Sequence, residues 1–346
     1  MNKKKLTLRD NLQLIADILS FNSNILDLEF KLKNSEIDWD IIVRITSKHL
    51  ILTTLYCRLY QKNLIPHLPK DLLAYLEHVT ELNRERNITL RKEIDFISIL
   101  FDKNNIEHVF IKGASMLAGN YYNDIGERMV GDIDILVATK DLETSFQLLI
   151  EQGYSDFVEF NYEVKNFRHL PRQISKDRVG AVEIHNQLFK HGFNHLINKD
   201  LIIESKVKVN GINIPNEEFA IENIILAHQI NDKNSYLGMI GFKGIYDVLL
   251  MKLDSRHELI DKLSNEEHSL KFLTLSSIFF PSIAPNNYSF KTKVYKNRFM
   301  LNLKYKKLRL LDYKMKHLLL NISERLNLIF SNKSYRRRIL YSKGVK

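Results

Sequence analysis

The feature that most constrains this chain lies near its middle, where residues 131–137 read GDIDILV. The density of β-branched and aliphatic residues predicts a strand. Because successive side chains of a strand point to opposite faces, Asp132 and Asp134 project from the same face. Ile133 and Ile135 then point the other way, into a core. An apolar strand does not carry two neighbouring like charges without a compensating partner.

A divalent cation is the usual partner for such a pair, and Mg²⁺ is typically held by one or two carboxylates together with substrate phosphates. Taken alone, Asp132 and Asp134 predict a metal site and no particular reaction. What they signify depends on the residues that the fold brings around them.

The sequence predicts an α/β (α+β) fold in three parts. Residues 1–103 carry apolar residues at helical spacing, with a long helix over 71–102, and the chain returns to helical patterns after Asn216, a good N-cap. Between them the order is β-α-β-α-β-β-β. We expect an N-terminal helical domain (1–103), a central core with a small mixed sheet (104–215) and a C-terminal helical domain with a basic tail (216–346).

Within the central core the patterns place individual elements. Strands are predicted over 107–111, 131–137, 156–161, 169–175 and 179–185, with helices over 116–122 and 140–153. Asn210-Gly211 is the strongest two-residue turn signal and predicts a hairpin over 207–214.

The turn between the first strand and the first helix of the core reads Lys112-Gly113-Ala114-Ser115. A glycine there lets the backbone approach a ligand closely, and a helix N-terminus offers unpaired N–H groups to a phosphate. Ser115 adds a hydroxyl and Lys112 a cation. The alternative interpretation is an ordinary strand-to-helix turn.

Two further residues complete the predicted constellation. Arg128 precedes the acidic strand and is interpreted either as a surface residue or as a guanidinium that braces the carboxylates or holds a phosphate. Glu183 lies between apolar residues of a later strand. If that strand lies beside the Asp132/Asp134 strand, three carboxylates converge and two Mg²⁺ ions would neutralise them.

These motifs resemble the DNA polymerase beta-type nucleotidyltransferase superfamily, which has a Gly-Ser turn, an Asp-x-Asp strand and a third carboxylate. They are closer to a largely uncharacterised group of bacterial nucleotidyltransferase-family proteins. That group shares a Lys-Gly turn, an Arg-x-x-Gly-Asp-Ile-Asp-Leu-Leu-Val strand and a later Glu-Leu-His. In this chain the corresponding residues 111–115, 128–137 and 183–185 read IKGAS, RMVGDIDILV and EIH, and the resemblance covers about 105–250.

The resemblance implies transfer of a nucleotidyl group from a nucleoside triphosphate such as ATP to an acceptor, with release of pyrophosphate. It implies that Asp132 and Asp134 bind two Mg²⁺ ions and that Glu183 holds the catalytic one. Nucleotide contacts would come from Lys112, Gly113, Ser115 and Arg128. The acceptor stays open between a small molecule, an RNA 3′ end and a protein side chain.

Two other classes of function stay open. One is a catalytically weak or inactive protein that senses nucleotides or scaffolds a biosynthetic complex, which the retained Glu183 argues against. The other is a toxin-like modifier of tRNA or protein. Zinc is less favoured: His191 and His195 have helical spacing, but no HExxH motif occurs. His228 is interpreted as a core histidine, with the cleft as the alternative.

The composition limits the cellular locations and the partners that we expect for the protein. A single cysteine, Cys57, excludes a disulfide framework, and no window approaches eighteen consecutive apolar residues, so we expect a cytoplasmic protein without a membrane span. The net charge is +10, but residues 286–346 carry seventeen Lys/Arg against two acids, so the tail holds +15 and the rest −5. The tail therefore predicts contact with nucleic acid or an anionic membrane, or else a merely lysine-rich solvent face.

Overall fold

A computed structural model describes residues 6–157 and 167–342 of the chain, with side chains described as far as residue 339. The strands are β1 (His108–Ile111), β2 (Asp132–Val137), β3 (Asp156–Phe157), β4 (Gln173–Ile174), β5 (Ala181–His185), β6 (Val207–Val209) and β7 (Ile212–Ile214). The helices are α1 (Leu8–Leu19), α2 (Ile25–Asn34), α3 (Trp39–Lys48), α4 (Leu52–Gln61), α5 (Lys70–Lys103), α6 (Lys112–Ala118), α7 (Leu142–Glu151), α8 (Lys199–Glu204), α9 (Glu217–Leu226), α10 (Asn234–Leu237), α11 (Phe242–Leu250), α12 (His257–Ser264), α13 (Glu267–Ser276), α14 (Phe290–Lys304), α15 (Lys306–Ser331) and α16 (Lys333–Ser342). A π-helical turn (Ala227–Asn231) follows α9 directly.

The acidic strand, β2, lies between β1 and β5 in the sheet. The strand order of the sheet is β1-β2-β5-β4-β3, with β1 antiparallel and β5 parallel to β2. Ile133 and Ile135 pack with α5 residues in a buried cluster on one face, as predicted. Leu136 belongs to a different cluster on the opposite face, the one from which Asp132 and Asp134 project. The expected small mixed sheet flanked by helices is confirmed.

The helices on either side of the sheet share one hydrophobic core. Residues of α1, α4 and the start of α5 belong to the same buried cluster as residues of α9, α11, α13 and α14. The predicted N-terminal and C-terminal helical regions therefore pack against each other. The division at residues 103 and 215 stays a prediction about domains. In the described part of the chain, none of the helices combines the length and apolar character needed to cross a membrane.

Several local predictions are confirmed, and in others the boundaries of the predicted element differ from the observed ones. The hairpin turns at Asn210 and Gly211, both with positive φ, and the Asn216 side chain caps α9 by accepting from the Phe219 N–H. The helix predicted over 116–122 instead begins at Lys112 and ends at Ala118, because the chain enters helical geometry directly at the strand end. The strand predicted over 156–161 is seen as β3, and the rest of that range lies outside the described residues.

Candidate active site

The turn from β1 to α6 brings a lysine against the acidic strand. Lys112 adopts φ of +54°, a left-handed conformation that is uncommon for a side chain other than glycine. Its ammonium group lies 2.5 Å from Asp134 Oδ1. A Cβ on the adjacent Gly113 would lie 2.7 Å from the Arg128 guanidinium and 3.0 Å from Val130. The absence of a side chain at Gly113 therefore allows the loop before β2, which carries Arg128 and Val130, to lie this close to the turn.

The parallel register of β2 and β5 places two of the predicted acids side by side, because Asp134 pairs with Glu183 across the strands. His185 lies two residues further along β5, on the same face. Its Nε2 is 2.7 Å from Asp134 Oδ1 and 3.6 Å from Glu183 Oε2. Among the described residues, Asp134, Glu183 and His185 are the group whose potential ligand atoms all lie within 4.8 Å of one another.

The three acids experience different electrostatic surroundings. Burial raises the pKa of Asp134, but Lys112 and His185 outweigh it and hold that pKa well below its ordinary value. For Glu183 the effect of burial is likewise outweighed, chiefly by the His185 imidazole 3.6 Å away, so its pKa is lowered. Burial and the two neighbouring carboxylates raise the pKa of Asp132. The site thus holds two firmly ionised carboxylates and a third that would gain most from an added cation.

Asp132 lies on the solvent side of this group. Its side chain is about a third exposed, and its nearest cationic partner is Arg172, at 3.5 Å. It shares the face of Asp134, as predicted from strand alternation, and both residues line the same cleft.

Arg128 pairs with a carboxylate that lies outside the acidic strand. Its guanidinium makes a two-pronged contact with Asp247 on α11, at 2.8 Å from Nη2 and 3.1 Å from Nε, and both residues are buried. The Tyr122 hydroxyl donates to the same carboxylate at 2.5 Å. On the other side, Asn83 and Asn87 of α5 donate to the Arg128 carbonyl oxygen. This pairing fixes the loop before β2 to helices from both ends of the chain.

A cleft of about 490 Å³ opens over Asp132 and Asp134. The sheet side contributes Lys112, Gly113, Asp132 and Asp134, and the helical side contributes residues from the α3–α4 connection, the π-helical turn and α11. Lys243 of α11 lines the cleft, and burial together with nearby Arg128 lowers its pKa to about 8. Sequence reasoning did not assign Lys243 a role. The signal was its position four residues before Asp247, on one side of a helix.

The remaining candidate residues have defined places. Ser115 is buried, and its hydroxyl donates to the Lys112 carbonyl oxygen at 2.8 Å. His191 and His195 are exposed and lie outside the convergent group of metal-ligating residues. His228 lines the cleft, the less favoured of the two predicted locations, with its Nδ1 3.0 Å from the Asn234 amide nitrogen. His49 lines the same wall, where burial and nearby His228 lower its pKa to about 4.

The lysine-glycine turn, the Asp-x-Asp strand and the third acid on the neighbouring parallel strand are the features through which the sequence resembles nucleotidyltransferases. A family model described as uncharacterised nucleotidyltransferase matches residues 35–274. The chain belongs to this family. The match extends beyond the sheet into both helical regions, further than the motifs alone indicated. A search of curated proteins and a search of solved structures each gave no match.

Proposed function

We propose that the protein transfers a nucleoside monophosphate from a nucleoside triphosphate to an acceptor hydroxyl, phosphate or amine, with release of pyrophosphate and in dependence on Mg²⁺. The observation that carries this proposal is the pairing of Asp134 with Glu183 across β2 and β5, at the edge of a cleft that also contains Asp132. Membership in the nucleotidyltransferase family supports the reaction class.

The residues present suit a divalent cation. Asp134 and Glu183 supply ionised carboxylate oxygens, and His185 supplies an imidazole nitrogen. The contact between the Lys112 ammonium and Asp134 indicates that this position accommodates a cationic group. Carboxylates suit Mg²⁺ and Mn²⁺, whereas a purely imidazole or thiolate set would suit other metals. Bound there with Asp132 as a further ligand, one or two Mg²⁺ ions would offset the negative charge of carboxylates and phosphates and polarise the α-phosphate.

The chain's own residues divide into two sets around this centre. Lys112, the backbone at Gly113 and Lys243 line the cleft and are placed to contact a triphosphate. Glu183 lies in the same group of potential ligands as Asp134, and we assign it to holding the catalytic metal and accepting the proton of the attacking group. Ser115 and Arg128 already have partners within the chain, so we assign them to holding the turn and the loop in place.

The test uses three variants of the full chain: Asp134→Asn, Glu183→Gln and, as a matched control, Asp177→Asn. Asp177 is an exposed acid in the connection before β5. Each protein is incubated with α-labelled nucleoside triphosphates, Mg²⁺ and a cell extract, and the labelled product is identified. We expect wild type and the control to label the same acceptor, and the two site variants to lose at least about a hundredfold in rate.

Mn²⁺ binding followed by electron paramagnetic resonance supplies the second readout, and it needs no acceptor. Loss of Mn²⁺ binding in Asp134→Asn and its retention in Asp177→Asn are expected. If wild type binds triphosphate tightly but labels nothing, the nucleotide-sensing alternative replaces catalysis. Equal labelling by Asp134→Asn and wild type would overturn the proposal.

A further inference from the structure

Helix α15 carries a long apolar stripe that faces away from the protein. The stripe consists of eight side chains recurring at helical spacing: Leu308, Leu311, Met315, Leu318, Leu319, Ile322, Leu326 and Phe330. Each is between 42% and 79% exposed. At about 1.5 Å per residue the stripe is about 33 Å long. Exposed apolar patches of this size mark interaction surfaces.

Polar contacts fix which side of α15 faces the rest of the molecule. Asp312 binds Arg298 of α14, and the Lys316 ammonium donates to the Leu237 carbonyl oxygen at 2.9 Å. Glu324 pairs with Lys233. Glu324 lies on a different side of the helix from the stripe, whereas Asp312 and Lys316 border the stripe along one edge. Within the described part of the chain, the stripe residues belong to none of the three buried apolar clusters.

The charge around the stripe narrows the choice of occupant. Lys307 and Lys314 are exposed, and each lies three or four residues from Leu311, so they form a basic row along one edge. Residues 286–346 carry a net charge of +15. Two copies pairing through the stripe would bring two such tails together, which like-charge repulsion opposes. Nucleic acid would match the charge but offers no apolar surface to cover eight exposed side chains.

We propose that α15 docks on the surface of an anionic lipid bilayer. A bilayer presents negative headgroups above an apolar layer in one plane, which matches an apolar stripe bordered by lysines. The helix would lie in the plane of the interface, with the stripe toward the acyl chains and Lys307 and Lys314 at the level of the headgroups. This surface is independent of the nucleotidyltransferase site and gives the basic tail a role.

The experiment is co-sedimentation of the full-length protein with phosphatidylcholine vesicles that contain or lack phosphatidylglycerol. The apolar variant is Leu311→Gln/Leu318→Gln. Its matched control is Leu82→Gln/Ile99→Gln, which alters two comparably exposed apolar side chains on α5. The charge variant is Lys307→Gln/Lys314→Gln. Circular dichroism confirms that each variant keeps its helix content.

We expect binding only to vesicles with phosphatidylglycerol, weakening as salt rises. The apolar variant should lose about tenfold or more in partitioning for each leucine. The charge variant should lose about fivefold for each lysine, and the control should bind as wild type does. No binding to anionic vesicles, or equal loss in the α5 control, would overturn the proposal. So would a wild-type dimer that becomes monomeric in the apolar variant, which would identify a second copy as the occupant. Binding to a single-stranded RNA oligonucleotide in place of vesicles would assign the surface to nucleic acid.

Discussion

The buried pair between Arg128 and Asp247 offers the sharpest test of how this site is held together. The two residues lie 119 positions apart in sequence and join the loop before β2 to α11. The Asp247 carboxylate accepts hydrogen bonds from the Arg128 guanidinium and the Tyr122 hydroxyl, and Asp247 is 1% exposed. Removing one partner of such a buried pair leaves an uncompensated charge and typically costs about 3–5 kcal/mol in the free energy of unfolding.

The two single substitutions should differ. Arg128→Met leaves Asp247 with the Tyr122 hydrogen bond and with nearby Lys243, so the loss should lie near the lower limit, about 3 kcal/mol. Asp247→Leu leaves a guanidinium that stays charged at any accessible pH, so the loss should approach about 5 kcal/mol. The double variant Arg128→Met/Asp247→Leu contains neither buried charge. Its loss in the free energy of unfolding should be smaller than the sum of the two single losses, by a coupling energy of about 3 kcal/mol or more.

Urea unfolding followed by circular dichroism measures all three variants, and Arg256→Met serves as control. Arg256 pairs with Glu217 at a partly exposed position, where an ion pair contributes about 0–1 kcal/mol. The reasoning is refuted if Arg128→Met is no more destabilising than Arg256→Met. It is also refuted if the losses of the two single variants add in the double variant within about 0.5 kcal/mol.

Three further predictions follow from other contacts in the structure. Because the pKa of Lys243 is lowered to about 8, its amine is charged below that pH and neutral above it. Triphosphate affinity should fall by about tenfold as pH rises through 8, and Lys243→Arg should move the fall to higher pH; identical profiles would exclude the contact. Gly180→Ala places a Cβ 2.7 Å from Glu93 and 2.8 Å from Ile133, so thermal unfolding should show a loss of about 1–3 kcal/mol. Ser115→Ala should leave triphosphate affinity unchanged in a binding titration, because the hydroxyl donates within the chain, and a weakened Kd would restore its predicted phosphate contact.

Features set by short stretches of sequence were predictable. The alternation of residues 131–137 correctly gave a strand with two acids on one face and two isoleucines on the other. The helix predicted over 71–102 is α5, and the Asn210-Gly211 turn and the Asn216 cap are both present. Each depends on side-chain periodicity or on a backbone preference that acts within a few residues.

Features set by contacts between distant segments were not predictable. The sequence placed Glu183 beside Asp134 only on the condition that their strands are neighbours, and the register of β2 and β5 supplies that condition. Nothing local to Arg128 indicates Asp247 as its partner, since the pairing depends on how α11 packs against the sheet. The left-handed conformation of Lys112, which directs its ammonium to Asp134, likewise depends on a contact across strands.

The difference between local and distant contacts also indicates which residues would select the acceptor. The acids come from the sheet and Lys112 from the turn between β1 and α6. In the proposed function these residues address phosphates, which all nucleoside triphosphates share. The opposite wall of the cleft comes from the α3–α4 connection, the π-helical turn and α11, with Leu50, His228 and Lys243 among its residues. The α3–α4 connection and α11 contribute residues such as Ile51 and Phe242 to the core shared by the two ends of the chain, so their spacing is set by packing far from the acids. In the proposed reaction, an acceptor that approaches the α-phosphate from the side opposite the acids would contact this wall. We therefore expect selectivity among acceptors to depend on helical residues that the acidic motif does not reveal.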